Sequence, residues 1–261
     1  MLIDLHNHTP LCNHASGTPR QLAARAYELG CKYFGFSDHG FMHFESEYRM
    51  SRAQIPFYEN LVREVRDDFK GKMEILLGYE ADWMAKKELM SDSINRAKCD
   101  YLIGSVHFLD TWGFDNPAFI AQYKGKDIDK LYEDYFNALG AMIKSGLFDI
   151  VGHIDLIKVF NYRPKRDIRH YAQPIIKLAK KADMVIELNS AGYRKACNEL
   201  YPSDEILELM AQNDIKITFG SDAHSIEQVG LNMSKSIAKA REFGFSKAYV
   251  FKERFKEGIV F

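Results

Sequence analysis

Histidine and carboxylate recur in this chain at spacings of one or two residues. One residue separates His6 from His8 and Asp222 from His224, and His39 directly follows Asp38. In an extended segment, side chains two apart point the same way. His6 and His8 can therefore grip one ion from the same side, and so can Asp222 and His224. Imidazole nitrogen combined with carboxylate oxygen suits Zn, Fe and Mn. Ligands drawn from several segments give open, water-accessible sites, not a closed structural one. Such a site can bring the pKa of bound water down to ~7, so hydroxide between two metals is a ready nucleophile at neutral pH.

That chemistry needs a scaffold that gathers distant pairs. Apolar, β-rich runs at residues 2–5, 33–37, 74–79, 101–106, 150–152, 184–188 and 215–219 read as seven strands. Amphipathic stretches lie between them. One opens at Thr18-Pro19, with Thr as cap and Pro at the first helical position. Others lie near residues 58–69, 128–145, 172–182 and 203–212. Residues 108–127 read as a loop long enough to act as a lid, and 247–261 as a short strand or hairpin. Strands alternating with helices predict a mostly parallel sheet in an α/β fold.

The ligand-capable residues fall where that scaffold would converge. The strands run into His6-Asn7-His8, Asp38-His39, Glu80, His107, His153-Ile154-Asp155, Glu187-Leu188-Asn189 and Asp222-Ala223-His224, with His14 in the first loop. In a parallel barrel these positions open onto one mouth. Of nine histidines, only His170 falls in an expected helix; His43 is the looser member of the rest.

Composition narrows the classes. A length of 261 residues fits a single α/β barrel, which commonly reaches ~250. No linker divides the chain, so one domain over 1–261 is expected. A formal net charge of −1 supplies no general attraction for nucleic acid or anionic membrane. No apolar run approaches the ~20 residues that cross a bilayer, and the start has no signal-peptide pattern. The four scattered cysteines are expected to be free thiols, and the protein cytoplasmic.

The segments Asp4-Leu5-His6-Asn7-His8-Thr9, Ser37-Asp38-His39, Gly78-Tyr79-Glu80, Gly104-Ser105-Val106-His107, Gly152-His153-Ile154-Asp155 and Gly220-Ser221-Asp222-Ala223-His224 resemble, in order, the PHP superfamily (polymerase and histidinol phosphatase). Cys12-Asn13-His14, Glu187 through Lys195, and Tyr201-Pro202-Ser203 resemble its monofunctional histidinol-phosphatase branch. The resemblance implies a distorted (β/α)7, TIM-like barrel with three divalent metal ions (Zn, Fe or Mn). It implies His6, His8, Glu80 and Asp222 on the first metal. Glu80 would bridge to a second held by His107 and His153, with His14, His39 and His224 on the third. It also implies a small phosphate monoester as substrate, L-histidinol phosphate, hydrolysed in histidine biosynthesis by a metal-bridging hydroxide. Nucleic acid and membrane are not expected partners.

Phosphoryl transfer demands stabilisation of charge on the phosphoryl oxygens. Arg163 and Arg194 are the expected phosphate clamp, since guanidinium matches phosphate in a bidentate way; Lys165 and Lys195 are weaker candidates. Asp38 and Asp155 are expected to orient ligand histidines. Glu45, Glu47, Arg49, Asp82, Trp112 and Asp115 fall in segments that could line the mouth. Cys12 is a bystander thiol or a further ligand. The rival readings are a nucleotide phosphoesterase of the same superfamily, a non-catalytic metal-binding module, and a metal-dependent deaminase. The last would use a lysine where His107 stands.

Overall fold

The computed structural model describes residues 3–261, so Leu2, the expected start of the first strand, lies outside the described residues. The elements run β1 (Ile3–Asp4), α1 (Pro19–Glu28), β2 (Tyr33–Phe36), α2 (Ile55–Asp68), β3 (Glu74–Asp82), α3 (Asp92–Asn95) and β4 (Tyr101–Ser105). A small hairpin follows, β5 (Phe108–Leu109) and β6 (Trp112–Gly113), then α4 (Ile128–Ser145), β7 (Ile150–Val151), α5 (Arg169–Lys181) and β8 (Val185–Asn189). The chain ends with α6 (Asp204–Gln212), β9 (Lys216–Gly220), α7 (Met233–Glu242), β10 (Lys247–Lys252) and β11 (Phe255–Val260).

Local chemistry sets the helix ends. Thr18 and Gln21 form a reciprocal capping box at α1, with Pro19 just inside. Asp127 caps α4, and Gly146 ends it at φ 66°, where a side chain would be strained. Both ends of α4 fall where the sequence places them.

The sheet order is β1-β2-β3-β4-β7-β8-β9-β10-β11. Pairing is parallel from β1 through β9, and β10–β11 is an antiparallel hairpin. β9 pairs with β10 through Ile217 and meets β1 nearer its own end: Leu5 N donates to Phe219 O at 2.9 Å and His8 N to Ala223 O at 2.9 Å. Seven parallel strands thus close into a distorted (β/α)7 barrel. Its interior is packed, not hollow. Tyr101 is fully buried and its hydroxyl donates to Leu5 O at 2.6 Å. A Cβ on Gly35 or Gly78 would run into the Tyr101 side chain, so glycine there makes room for it.

The helices α3 and α7 were not expected from the sequence, and two expected segments differ in the structure. β3 extends to Asp82, beyond the expected end at 79, because β4 pairs alongside it as far as Asp82↔Ser105. Glu80 and Asp82 therefore sit within a strand and share a face. Residues 108–127 are not featureless: they hold the β5–β6 hairpin and a 3-10 helix at Pro117–Tyr123.

Candidate metal centre

At the C-terminal mouth the strands deliver their ligand-capable side chains to one spot. Glu80 is buried at its centre. Its Oε2 lies 3.3 Å from His6 Nε2, 3.6 Å from His8 Nε2 and 3.0 Å from His39 Nδ1. Its Oε1 lies 2.9 Å from His153 Nε2 and 3.4 Å from His107 Nε2. One carboxylate thus faces two groups of imidazoles with its two oxygens. Asp222 Oδ1 lies 3.2 Å from His8 Nε2 and 3.9 Å from His6 Nε2. Asp222 itself has φ 53°, a left-handed turn that Asp tolerates better than most residues. The rings of His8 and His224 stack at 4.0 Å, and His14 lies 4.7 Å from His224 and 5.3 Å from His39. All nine expected ligands, His6, His8, His14, His39, Glu80, His107, His153, Asp222 and His224, belong to this one assembly.

Acceptors behind the rings decide which nitrogen is free. His6 Nδ1 meets Glu187 Oε1 at 2.7 Å, and His107 Nδ1 meets Asp82 Oδ1 at 2.7 Å. His14 Nδ1 meets Cys12 O at 2.8 Å and His224 Nδ1 meets Asp222 O at 3.1 Å. These oxygens only accept, so each Nδ1 carries hydrogen, and in the neutral ring Nε2 is left with its lone pair toward the interior. Glu187 is held in turn by Asn189 Nδ2 at 3.1 Å and by the His153 amide at 3.0 Å. A Cβ on Gly220 would strike the Glu187 carboxylate, so glycine is what lets that carboxylate reach His6.

Several buried ring nitrogens (His6 Nε2, both nitrogens of His8, His39 Nδ1 and His153 Nδ1) have no hydrogen-bond partner among the described residues. Leaving such groups unsatisfied costs about 1–3 kcal/mol each. Five compact donor sets among the described residues match cation coordination, each with donor atoms within 4.8 Å of one another: His6-His8-Asp222, Glu80-His107-His153, His8-His39-His224, Cys12-His14-His224 and His8-Cys12-Asp38; His14 and His39 each meet His224 in a different set. The residues fit a cluster of metal ions.

Charge tells the same story. Burial alone would raise Glu80 and Asp222, yet the surrounding histidines hold both well below the usual carboxylate range. Burial would depress His6, but Glu187, Glu80 and Asp222 raise it well above its ordinary value. His107 is likewise pushed up to about 10, its burial outweighed by Asp82 and Glu80. Burial pulls His39 down to about 4 and His224 well below the ordinary value. His6, His8 and His107 thus favour the protonated ring while His39 and His224 favour the neutral one, so a cation bound by the first three would displace protons.

A cavity of about 480 Å³ opens over the cluster. Arg194 lines it. Its Nη2 donates to Ser221 O at 3.0 Å and Asp222 O at 2.9 Å, while Nη1 is buried without a partner. Lys195, Glu45, Arg49 and Asp115 also line it. Arg163 does not. Its guanidinium pairs with Glu199 and its Nε donates to Asn161 Oδ1 at 2.9 Å, so the expected second arm of a clamp is turned to other partners. Lys165 is exposed, and its amide bonds Asp129.

Asp38 lies 3.5 Å from His8 Nδ1 and accepts from the Thr9 amide, as an orienting residue should. Asp155 differs from expectation: it accepts from Lys158 Nζ at 2.7 Å and the Ser203 amide at 2.8 Å, and no ligand histidine is among its partners. Asp82 supports His107 instead of meeting the cavity, Glu47 is exposed, and Trp112 packs against Tyr123 at 4.9 Å. Cys12 is buried with its sulfur near His14 and His224. His43 is exposed and His170 lies in α5, both outside the cluster. The orienting roles of Asp82 and Glu187 escape sequence reasoning. Their one signal is strict alternation, Glu80-x-Asp82 and Glu187-x-Asn189, at a strand end.

Known proteins share this arrangement of chain. The PHP domain model matches residues 4–191. A protein described as "Probable histidinol-phosphatase" from Deinococcus radiodurans is 36% identical over 93% of this chain and 94% of its own length. The histidinol-phosphatase of Bacillus subtilis is 28% identical over 87% of this chain and 95% of its own. Among solved structures, the Lactococcus lactis histidinol phosphate phosphatase, complexed with zinc, L-histidinol and phosphate, superposes with a TM-score of 0.84 at 20% identity, covering 98% of this chain and 100% of that one. With the closed parallel barrel, the histidine-carboxylate mouth and a family match over most of its length, this chain belongs to the PHP domain family.

Proposed function

We infer that the protein is a metal-dependent histidinol-phosphatase that hydrolyses L-histidinol phosphate to L-histidinol and phosphate, a step of histidine biosynthesis. The observation that carries the reading is Glu80, buried with one carboxylate oxygen facing His6, His8 and His39 and the other facing His107 and His153. The 36%-identical relative over 93% of the chain directs the substrate choice.

Three divalent ions, Zn, Fe or Mn, are assigned to these residues. His6, His8, Glu80 and Asp222 would hold the first, Glu80 with His107 and His153 the second, and His14, His39 and His224 the third. Such ions, when bound, supply Lewis-acid charge for the phosphoryl oxygens and activate water. The chain's own part is orientation. Glu187 and Asp82 hold the His6 and His107 tautomers that present Nε2 inward. Arg194, braced on two backbone carbonyls, offers Nη1 to a phosphate oxygen. Arg163 is left out of this role. No helix of the described residues is long and apolar enough to cross a membrane. Cys12, Cys99 and Cys197, buried thiols outside any disulfide among the described residues, support a reducing, cytoplasmic setting.

The test is phosphate release from L-histidinol phosphate beside nucleotides, sugar phosphates and an oligonucleotide, after chelation and after restoring Mn, Zn or Fe. Preference for L-histidinol phosphate, lost on chelation and regained with metal, is the expected result. Metal-dependent release from a nucleotide instead would retain the centre and discard the substrate.

A further inference from the structure

Four carboxylates line the cavity: Glu45, Glu80, Asp115 and Asp222. Glu80 and Asp222 face the histidines, and Glu45 Oε2 lies 3.5 Å from Arg49 Nη2. Asp115 alone among them makes no ion pair and no hydrogen bond to another side chain among the described residues. Its side chain is largely sheltered, and burial raises its pKa even though His107 and His153 pull the other way. A sheltered, uncompensated carboxylate costs free energy that a cationic ligand would recover.

The backbone around Asp115 is held firmly. Phe114 is fully buried, packs edge-on against Tyr135 at 5.4 Å, and its carbonyl accepts from Tyr123 Oη at 3.1 Å. Asn116 N donates to Gly113 O at 3.2 Å, and Asn116 Oδ1 accepts from the Ala118 amide at 2.9 Å. A carboxylate mounted this way is preorganised, so little ordering entropy is lost when a ligand arrives.

Substrate chemistry matches the position. In an amino-alcohol phosphate such as L-histidinol phosphate, the ammonium sits on the carbon next to the one bearing the ester oxygen. With phosphate at the metal centre, the ammonium must lie close by, and the imidazole farther out. Asp115 lines the same cavity as His107 and His153, on the wall of the space the ammonium must enter. Phe108, Leu156 and Val159 add apolar lining.

We propose that Asp115 binds the primary ammonium group of the substrate and so selects phosphate esters of β-amino alcohols. The proposal rests on the histidinol-phosphatase reading above. It makes Asp115 a specificity residue, not a catalytic one.

The experiment compares kcat/KM for L-histidinol phosphate with that for the imidazolylpropyl phosphate lacking only the amine. The wild type should favour the amine-bearing ester by about ten- to a hundredfold, the range for a charge-assisted hydrogen bond made or missed. In Asp115→Asn most of that preference should vanish, mainly through KM for L-histidinol phosphate; Asp115→Glu should retain part of it. A wild type that treats both esters alike, or an Asp115→Asn variant that keeps the full preference, overturns the proposal. If Asp115→Asn does not fold, product inhibition of the wild type decides. L-histidinol should inhibit more tightly than the deaminated alcohol, and equal inhibition overturns the idea. Failure of the wild type on both esters, with release from some other phosphate, would instead remove the histidinol-phosphatase reading and this proposal with it.

Discussion

Asp82 holds two cationic partners at once: its Oδ1 takes His107 Nδ1 and its Oδ2 takes Arg49 Nη1 at 2.6 Å. Both Asp82 and Arg49 are buried, so Asp82→Ala removes the closer of two carboxylates from the guanidinium, leaving it Glu45 Oε2 at 3.5 Å and Glu45 O at 2.8 Å. The loss should destabilise the fold by less than the roughly 3–5 kcal/mol of a buried charge left with no partner. It also frees the His107 ring to turn. The variant should unfold at lower urea, and metal titration should show about ten- to a hundredfold weaker binding at the His107 ion. Unchanged metal affinity would separate the structural effect from the orienting one. The histidines and carboxylates that meet at the mouth were legible as a group because their chemistry is uncommon and their i, i+2 spacing is local. Asp82 and Glu187 were not legible as orienting residues, since each acts on a ring brought to it only by folding. Arg163 shows the opposite error: a loop arginine near the mouth in sequence, it is claimed by Glu199 in space.

At the scale of elements, the readings succeeded where local chemistry decides and failed where a neighbour decides. α4 was legible to the residue because Asp127 and Gly146 mark its ends. β3 was cut short because Glu80 and Asp82 look like strand breakers until β4 and the His39↔Glu80 bridge supply their pairing. The hairpin in 108–127 has only two paired residues on each side, too few for a periodic signal. At α1, Thr18→Ala removes half of the capping box and should lower stability by about 1 kcal/mol. Thr18 is exposed and lies outside the cavity lining, so kcat/KM should hold while the thermal midpoint falls; a loss of activity in the folded variant would count against this separation.

For the whole molecule, the closing seam between β1 and β9 carries an ionisable group. Asp4 is buried and accepts from the Ser221 amide at 2.8 Å and from Ser221 Oγ at 2.6 Å. Burial nevertheless pushes its pKa up to about 6, from an ordinary 3.8. A raised carboxyl pKa means the unfolded chain gives up its proton first. The stability it confers is fully present below about pH 4 and lost as pH rises through about 6. In metal-free protein, the urea midpoint of the wild type relative to Asp4→Asn should therefore drop across that window, by about 3 kcal/mol in free energy. A pH-independent difference between the two would mean Asp4 is not under this burial strain. The overall architecture was legible because seven apolar runs alternate with helices; the seam was not, because nothing in residues 2–5 names its partner some 215 positions away.

That seam has a consequence for how the protein is made. The donors proposed for the first ion come from residues 6, 8, 80 and 222, so a set that starts just after β1 is finished only after β9 has been made. A nascent chain halted before Asp222 has His6 and His8 but neither the strand that closes the barrel nor the carboxylate that completes the set. It offers a chelating scrap, not a working centre. Under the proposed assignment metal loading follows translation through Asp222: only a chain read past that residue can hold the full set.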